Sequence, residues 1–319
     1  MTTLSVIVPM RDVAPYLGNL LLSLTHNDRG DFEFIAVDDG SVDATPQILA
    51  EHALRMPNFR VLRNDEAVGL SGARNRGMAA SSGRYITFLD GDDWLAPGYL
   101  AQAVAAIEEL GCDFVRTDHI QVFGRRREVH RAPMGRRGVK LDPRDGILPM
   151  HTKTMVDYPY AWAGLYRREL FEDGLLRFDE ELLTAEDRPW IWRLHRRASS
   201  YAVVSLSGVF YRRQVANSLS QVGDRRQLHF FDAFDKVLDE LAGDPDRDRL
   251  ILKAVQNYCA IIAHHLNERE RLTPALRHTL RTRARERLRT FPPDVLAAVR
   301  PGVGKERLDL FATTLGIGI

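Results

Sequence analysis

The first 118 residues alternate short apolar segments with segments of helical periodicity, and this alternation constrains the fold more than any other feature of the chain. The predicted strands cover residues 4–9, 32–37, 59–62, 85–89 and 114–117. The predicted helices cover residues 13–25, a segment from about 43, residues 71–81 and residues 97–110. Strands that alternate with helices in this way predict an α/β fold with an open, mostly parallel central sheet. Ligands of such sheets bind beyond the carboxyl ends of the strands.

The pattern changes along the second half of the chain. Residues 124–146 are rich in Arg, Gly and Pro and are interpreted as a loop or hairpin, whereas residues 184–198 and 201–211 predict a helix followed by a strand. After about residue 223 the long segments have helical periodicity. We therefore expect an α/β domain over residues 1–222 and an all-helical C-terminal region over residues 223–319.

Charge and cysteine content exclude several classes of protein. The 44 basic and 43 acidic residues give a net charge of +1, so no overall field favours nucleic acid. Two cysteines, Cys112 and Cys259, cannot build a disulfide framework or a cysteine-based zinc site. No signal-peptide pattern opens the sequence and no window approaches ~18 consecutive apolar residues, so we expect a cytoplasmic protein. A peripheral contact at the inner face of the plasma membrane stays open.

Three carboxylates follow the fourth predicted strand within four positions, in the sequence FLDGDDW at residues 88–94. Asp90, Asp92 and Asp93 repel one another at close range unless a cation neutralises them. Mg²⁺ commonly binds through one or two carboxylates together with substrate phosphates. The cluster therefore predicts a divalent-cation site, with a solvated Asp-Gly turn and a helix cap at Asp93 as the alternative.

Three further polar segments lie at predicted strand or helix ends. Asp38 and Asp39 begin a turn after the second strand, and turn chemistry alone explains this signal. Residues 69–77 form a glycine-punctuated basic loop that opens a helix, which suits either an anion site or an ordinary capped helix. Glu186 and Asp187 open another helix, where a carboxylate can act as a general base or simply complement the helix dipole.

Taken in order, these motifs resemble those of the family 2 glycosyltransferases, which have the GT-A nucleotide-binding fold. The resemblance covers about residues 4–215. It implies an inverting transferase that uses a nucleotide-diphosphate sugar, typically a UDP-sugar, together with Mn²⁺ or Mg²⁺. It also divides the first domain into a nucleotide-binding half over residues 1–118 and an acceptor-binding half over residues 119–222. The settings it implies are the synthesis of cell-wall or teichoic-acid-like polymers, surface polysaccharides or lipid-linked glycans.

The resemblance also implies roles for individual residues. The positions that match nucleotide contacts in the family are Pro9, Asp12, Asp38, Asp39, Arg74, Asp90 and Arg212. Asp92 matches the metal ligand, and Asp187 matches the general base that takes the proton of the acceptor hydroxyl. The residues assigned more weakly to the acceptor or the diphosphate are Glu186, Trp162, Ser218 and Ser220. The sequence departs from the family pattern after Pro9, where Met10-Arg11 replaces the usual Tyr-Asn.

The acceptor that the resemblance implies is a hydroxyl group of a glycan, a polyol-phosphate polymer or a lipid-linked sugar. Residues 268–290 carry eight Arg against three Glu around a stripe of Leu and Ala. This basic amphipathic segment is typical of an ordinary surface helix, and it also suits contact with an anionic membrane, an anionic acceptor or a second copy of the chain.

Three other classes of protein are the alternatives. A degenerate transferase that only binds a glycan or a nucleotide would keep the same pattern, but the full set of carboxylates argues against it. A phosphatase with an Asp-x-Asp motif needs Thr or Val where Trp94 stands. A sugar-nucleotide pyrophosphorylase needs a Gly-rich basic loop after the first strand, where this chain has VPMRD.

Overall fold

A computed structural model describes residues 1–213, residue 215 and residues 223–318. The described chain up to Arg212 builds one sheet with helices packed against it, and the residues after 223 form a helical region. This architecture confirms the predicted fold class, an α/β domain followed by C-terminal helices.

The sheet is mostly parallel. Its strands are β1 (Leu4–Met10), β2 (Phe32–Asp39), β3 (Phe59–Asn64), β4 (Tyr85–Phe88), β5 (Trp94–Leu95), β6 (Phe114–Phe123), β7 (Arg126–His130), β8 (Gly164–Arg167) and β9 (Tyr201–Arg212). Their hydrogen-bonded order is β3-β2-β1-β4-β8-β6-β9-β5, and β7 pairs with β6. Strands β1, β2, β3, β4, β6 and β9 run in one direction, and β5, β7 and β8 run in the other.

The helices of the described residues fall into two groups. Those that accompany the sheet are α1 (Leu17–Thr25), α2 (Thr45–Ala53), α3 (Gly69–Ala80), α4 (Tyr99–Leu110) and α5 (Asp187–Arg197). Those of the C-terminal region are α6 (His229–Ala242), α7 (Arg247–Asn267), α8 (Pro274–Thr290), α9 (Pro293–Val303) and α10 (Lys305–Leu315). Gly111 ends α4 in the left-handed conformation, with φ of 58°, which is common for a glycine just after a helix.

Strand β1 is the centre of the parallel half of the sheet. It lies between β2 and β4, and all 7 of its residues are buried. A largely aliphatic strand such as this one suits a sheet that is covered on both faces. Helix α3 packs on β1 and β2, and Gly77 permits this close approach because an added Cβ would overlap Ile7. The carboxyl ends of β1, β2 and β4 thus lie at one edge, where the predicted polar clusters begin.

Local structure differs from the sequence prediction in three places. The helix predicted over residues 13–25 begins with a 3₁₀ turn, Ala14–Tyr16, before α1 starts at Leu17. The strand predicted over residues 114–117 continues to Phe123, because β7 pairs with it as a hairpin. Strand β5 is fixed by antiparallel pairing with β9, a long-range contact that the local sequence does not reveal.

The C-terminal helices enclose a second apolar core. In α8 the stripe of Leu280, Ala284 and Leu288 is buried. Two arginines of α8 form ion pairs with α6 at 2.6 Å, Arg283 with Asp232 and Arg287 with Asp235. The basic segment is therefore a packed surface helix, while contact with a membrane and self-association stay predictions.

The helical region also packs against the sheet domain. Side chains of α6 and α7 join the apolar core of the sheet domain, namely Val237, Leu241, Leu250 and Ala254. Because the two parts share a core, the limits 1–222 and 223–319 stay a prediction about domains. Among the described residues, no helix combines the length and the apolarity that crossing a membrane requires.

We expect Leu280→Ala to lower the free energy of unfolding by about 2–5 kcal/mol, because it opens a cavity where α8 meets the second core. The exposed Leu22 of α1 gives a matched control, and Leu22→Ala should change the stability by no more than about 0.5 kcal/mol. Urea unfolding of the three proteins measures both effects. Equal stability of the two variants would mean that α8 is not packed as described.

Candidate active site

Hydrogen bonds tie the loops after β1 and β2 together. Asp12, which has a positive φ of 52°, accepts a hydrogen bond at Oδ1 from the backbone N–H of Val42 at 2.8 Å. Its own backbone N–H donates to Ser41 Oγ at 2.9 Å. Pro9 lies buried within β1, in register with Val37 of β2. Two predicted nucleotide contacts, Pro9 and Asp12, therefore lie at the edge of the sheet where a ligand is expected.

The two neighbouring carboxylates at the end of β2 have different partners. Asp38 is fully buried and forms an ion pair with Arg63. Asp39 accepts hydrogen bonds from Asn64 Nδ2 at 2.6 Å and from the backbone N–H of Gly69 at 2.8 Å, where α3 begins. It thereby fixes the basic loop relative to β2.

The acidic turn after β4 is crowded with negative charge. Burial, and then the charge of Asp90, raise the pKa of Asp92 to about 6. Burial and the charges of Asp92 and Asp90 raise the pKa of Asp93 well above its usual value. Asp93 Oδ1 accepts a hydrogen bond from the backbone N–H of Arg212 at 2.6 Å, whereas the buried Oδ2 has no hydrogen-bond partner among the described residues.

Strand β9 brings a positive charge to this turn. Arg212 Nε donates to the backbone oxygen of Asp92 at 2.9 Å. Its guanidinium carbon lies 4.6 Å from the ring centroid of Trp94, and Trp94 stacks on Phe210 at 5.2 Å. Arg212 thus lies beside the acidic turn, and its contact with a nucleotide stays a prediction.

The acidic turn fits an open cation site rather than a closed one. No group of three His, Cys, Asp or Glu side chains in the described ranges is arranged to hold a metal ion. The unpaired Asp93 Oδ2 and the raised pKa of Asp92 both indicate a local shortage of positive charge. Mg²⁺ or a similar cation that keeps most of its positions for water and phosphate oxygens would meet that need.

Arg74 joins the acidic turn to the predicted base. This side chain of α3 is buried, and its Nη2 atom lies 2.9 Å from Asp90 Oδ1. Its Nη1 atom lies 2.9 Å from Glu186 Oε1, which comes from a position 112 residues later in the chain. Because Arg74 is occupied in this way, its direct contact with a nucleotide stays a prediction, and its observed role is to hold two carboxylates together.

Glu186 and Asp187 lie next to each other in different surroundings. Burial raises the pKa of Glu186 to about 7, with Arg74 opposing the rise and the charge of Asp187 adding to it. Burial also raises the pKa of Asp187, while Arg188 and Arg74 oppose that rise. The Asp187 side chain is 27% exposed, so it is open to a substrate, whereas Glu186 is buried.

Aromatic side chains cluster in the part of the sheet domain that is predicted to bind the acceptor. Trp162 is only 3% exposed and stacks on Tyr160 with ring centroids 4.8 Å apart. Tyr211 lies 5.2 Å from Trp162. Tyr160 and Tyr211 are partly exposed, so they offer more surface to a sugar than Trp162 does. The contact between Trp162 and an acceptor stays a prediction, and the structure places this ring mainly in support of its neighbours.

Two of the predicted site residues cannot be placed, and several contacts in the site were not predicted from the sequence. Ser218 and Ser220 lie outside the described residues. The buried ion pair of Glu186 with Arg74 depends on long-range packing, and so do the exposed edges of Tyr160 and Tyr211. No local sequence motif predicts these contacts.

We expect Arg74→Met to destabilise the fold by about 3–5 kcal/mol at pH 8, because it leaves Glu186 buried without a cation. The loss should be smaller at pH 5. The pKa of Glu186 in the folded wild type is about 7, so at pH 5 its carboxyl is largely neutral and gains little from Arg74, whereas above about pH 7 it is charged and depends on that cation. Thermal unfolding at both pH values measures this, with the exposed Arg55→Met as control. A loss of equal size at the two pH values would contradict the ion-pair argument.

The chain is similar to known proteins in sequence. The family described as Glycosyl transferase family 2 matches residues 5–175. The chain is 32% identical over 218 residues to the uncharacterized glycosyltransferase EpsJ of Bacillus subtilis, covering 68% of this chain and 63% of that protein. It is 29% identical over 216 residues to the poly(ribitol-phosphate) beta-N-acetylglucosaminyltransferase TarS of Staphylococcus aureus, covering 66% of this chain and 35% of TarS. These matches span less than two thirds of each relative's own length.

The chain is also similar to a solved structure. The crystal structure of S. aureus TarS 1–349 in complex with UDP-GlcNAc aligns with a TM-score of 0.76 at 19% identity, covering 99% of this chain and 91% of that one. At that identity the likeness shows a common fold. The family match extends over more than half of the sequence, and the chain therefore belongs to glycosyltransferase family 2, with the GT-A fold.

Proposed function

We propose that this enzyme moves a sugar from a UDP-sugar to a hydroxyl group of a glycan, a polyol-phosphate polymer or a lipid-linked acceptor, with inversion at the anomeric carbon. Asp187 is the general base, and Asp92 is the main protein ligand of Mn²⁺ or Mg²⁺. Pro9, Asp12 and Asp39 line the nucleotide pocket.

The observation that carries this proposal is the double ion pair of Arg74. Asp90 belongs to the acidic turn assigned to the donor, and Glu186 precedes the residue assigned as base. One guanidinium group holds both at 2.9 Å, which supports the assignment of the donor and the base to one site. A direct displacement requires that the donor carbon and the base be close to the same acceptor hydroxyl.

The donor side must stabilise a leaving diphosphate. Arg212 lies beside the acidic turn and supports it through its bond to the backbone of Asp92. A bound Mn²⁺ or Mg²⁺ would supply positive charge to the diphosphate oxygens. Asp39 uses three of its hydrogen-bond positions on Asn64 and the start of α3, and a carboxylate has about four, so one remains for the nucleotide base.

The acceptor side needs a base because a hydroxyl is a weak nucleophile at neutral pH. Asp187 is the open member of the carboxylate pair, and burial raises its pKa toward the range where a base works well. It takes the proton of the hydroxyl as the oxygen attacks the anomeric carbon from the face opposite the leaving group. Glu186 is held by Arg74 and does not compete for this proton.

Relatives support the choice of substrates. TarS is named for transfer of N-acetylglucosamine to poly(ribitol-phosphate), and its structure is solved with UDP-GlcNAc and with UDP. We extend the uridine nucleotide and a polymer acceptor to this chain by analogy with that name and those complexes. The cytoplasmic location, and a contact with the inner face of the plasma membrane, stay predictions from the sequence.

We expect Asp187→Asn to reduce the release of UDP from a UDP-sugar by roughly 10²- to 10⁴-fold, because the general base is lost. Binding of UDP should change by less than about twofold, since Asp187 is assigned to the acceptor side. In the wild type the rate should fall as the pH drops, because burial raises the pKa of Asp187 above its usual value and its protonation removes the base. Initial rates from pH 5 to 8 measure this, and the exposed Asp65→Asn is the control. Retention of most activity by Asp187→Asn would show that the base is another residue.

We expect UDP to bind more tightly when Mn²⁺ is present, and Asp92→Ala to abolish that difference. Loss of one charge-assisted contact, about 1.5–3 kcal/mol, weakens binding by roughly ten- to a hundredfold. Calorimetric titration of UDP, GDP, dTDP and CDP, each with and without Mn²⁺, identifies the nucleotide and tests the metal together. Asp65→Ala removes an exposed carboxylate and should behave as the wild type. Binding of UDP that ignores Mn²⁺ would refute the role of Asp92, and binding without any turnover would favour a degenerate transferase.

A further inference from the structure

A small pocket lies beside the proposed base, between α5 and the C-terminal helices. Its volume is about 130 Å³, and the residues that line it are Asp157, Arg188, Phe234, Asn257, Ala260 and Ile261. Four of these residues belong to α6 and α7. The helical region therefore supplies most of the wall.

Arg188 connects the pocket to the site of reaction. It follows Asp187 directly, and its Nε atom lies 3.8 Å from Asp187 Oδ1, which is too long for a hydrogen bond. Its guanidinium group makes no hydrogen bond with any residue that the structure describes. The next two arginines of α5 differ, because Arg193 lies 2.8 Å from Glu240 and Arg196 lies 2.7 Å from Asp244. The hydrogen-bond donors of the Arg188 guanidinium are therefore available to a ligand in the pocket beside Asp187.

Asn257 is the second unused group. Its side chain lines the pocket from α7 and is only 9% exposed. Its amide forms no hydrogen bond within the described part of the chain. The little surface that Asn257 exposes lies in the pocket wall, so its amide is available to hydrogen-bond a ligand there.

The pocket is lined by one carboxylate, Asp157, and one guanidinium, Arg188. The carboxylate of Asp157 lies 2.6 Å from Nζ of the buried Lys253, so its charge is already compensated. The guanidinium of Arg188 has a single carboxylate near it, Asp187, at 3.8 Å among the described residues, and its charge is therefore less fully compensated than that of Asp157. Phe234 and Ile261 complete the wall with apolar surface. A guanidinium beside an amide donor suits an oxyanion such as a phosphate ester.

We propose that this pocket binds a phosphate ester group of the acceptor, through Arg188 and Asn257, and so directs a neighbouring hydroxyl to Asp187. The inference rests on the proposed function and deepens it, because it selects phosphate-bearing acceptors over neutral glycans. Anchoring the acceptor beside the base gives the hydroxyl a fixed approach to the donor carbon. The C-terminal helices thereby form part of the acceptor site.

The test compares two matched probes, ribitol 5-phosphate and ribitol, by calorimetric titration of the full chain saturated with UDP and Mn²⁺. We expect the phosphate ester to bind at least about tenfold more tightly than the neutral polyol. Arg188→Gln and Asn257→Asp should each remove that preference, the first by deleting the cation and the second by adding a negative charge of the same shape. Asn257→Ala should weaken binding less than Asn257→Asp does.

Controls separate this site from general charge and from the donor site. Arg197→Gln removes an exposed arginine of the same helix, and Asn267→Ala removes an exposed amide of α7, so neither should alter the affinity for ribitol 5-phosphate. Thermal unfolding checks that each variant is folded. Farnesyl phosphate, tested in the same way, tells whether a lipid-linked phosphate is accepted as well as a polyol phosphate.

Equal binding of ribitol 5-phosphate and ribitol, or an unchanged preference in both Arg188→Gln and Asn257→Asp, overturns the proposal. Weaker binding of UDP to Arg188→Gln also overturns it, because Arg188 would then serve the donor. Failure of UDP to bind the wild type refutes the proposed function instead, and the probes without UDP then report on the pocket alone. Selective loss of phosphate binding with normal UDP binding supports both.

Discussion

The side chain of Arg74 makes the interaction on which the site depends. Its two Nη atoms each lie 2.9 Å from a carboxylate oxygen, one on Asp90 and one on Glu186. Burial disfavours a charged group, so this cation is stable inside the protein only because it meets two anions in a fixed geometry. As a consequence, the turn after β4 and the start of α5 cannot move independently. The proposed donor and base sites therefore share one anchor.

The remaining carboxylates explain why a donor and a cation belong together in the proposed function. The pKa of Asp92 is raised to about 6 and that of Asp93 well above its usual value. Burial and mutual repulsion therefore disfavour the charged form of both carboxylates at this turn. A nucleoside diphosphate is itself an anion and would meet repulsion there. A divalent cation reverses the sign of the local field and allows the diphosphate to approach. Arg212 contributes in the same direction but supplies a single charge.

Local sequence patterns predicted the parts of the fold that local chemistry determines. The apolar run of β1 and the glycine after α4 follow from short-range preferences, and both lie where expected. The pairing of β5 with β9 and the bridge from Arg74 to Glu186 join positions more than a hundred residues apart, so no local pattern contains them. The burial of Trp162 was not predicted either. The sequence shows that an aromatic residue is present, but long-range packing determines whether its ring is exposed to a ligand.

The helical region supports the proposed base as well as enclosing its own core. Helix α5 begins at Asp187, and farther along it Arg193 and Arg196 form ion pairs with Glu240 and Asp244. Those contacts fix the helix against the segment that carries α6, and so they fix the direction in which its first turn faces. The hydrogen bonds from Arg144 and Arg196 hold the pKa of Asp244 well below its usual value, so the ion pair of Arg196 with Asp244 stays charged at pH values where most carboxylates are protonated. The position of the proposed base is therefore set by contacts from the helical region as well as by the sheet domain.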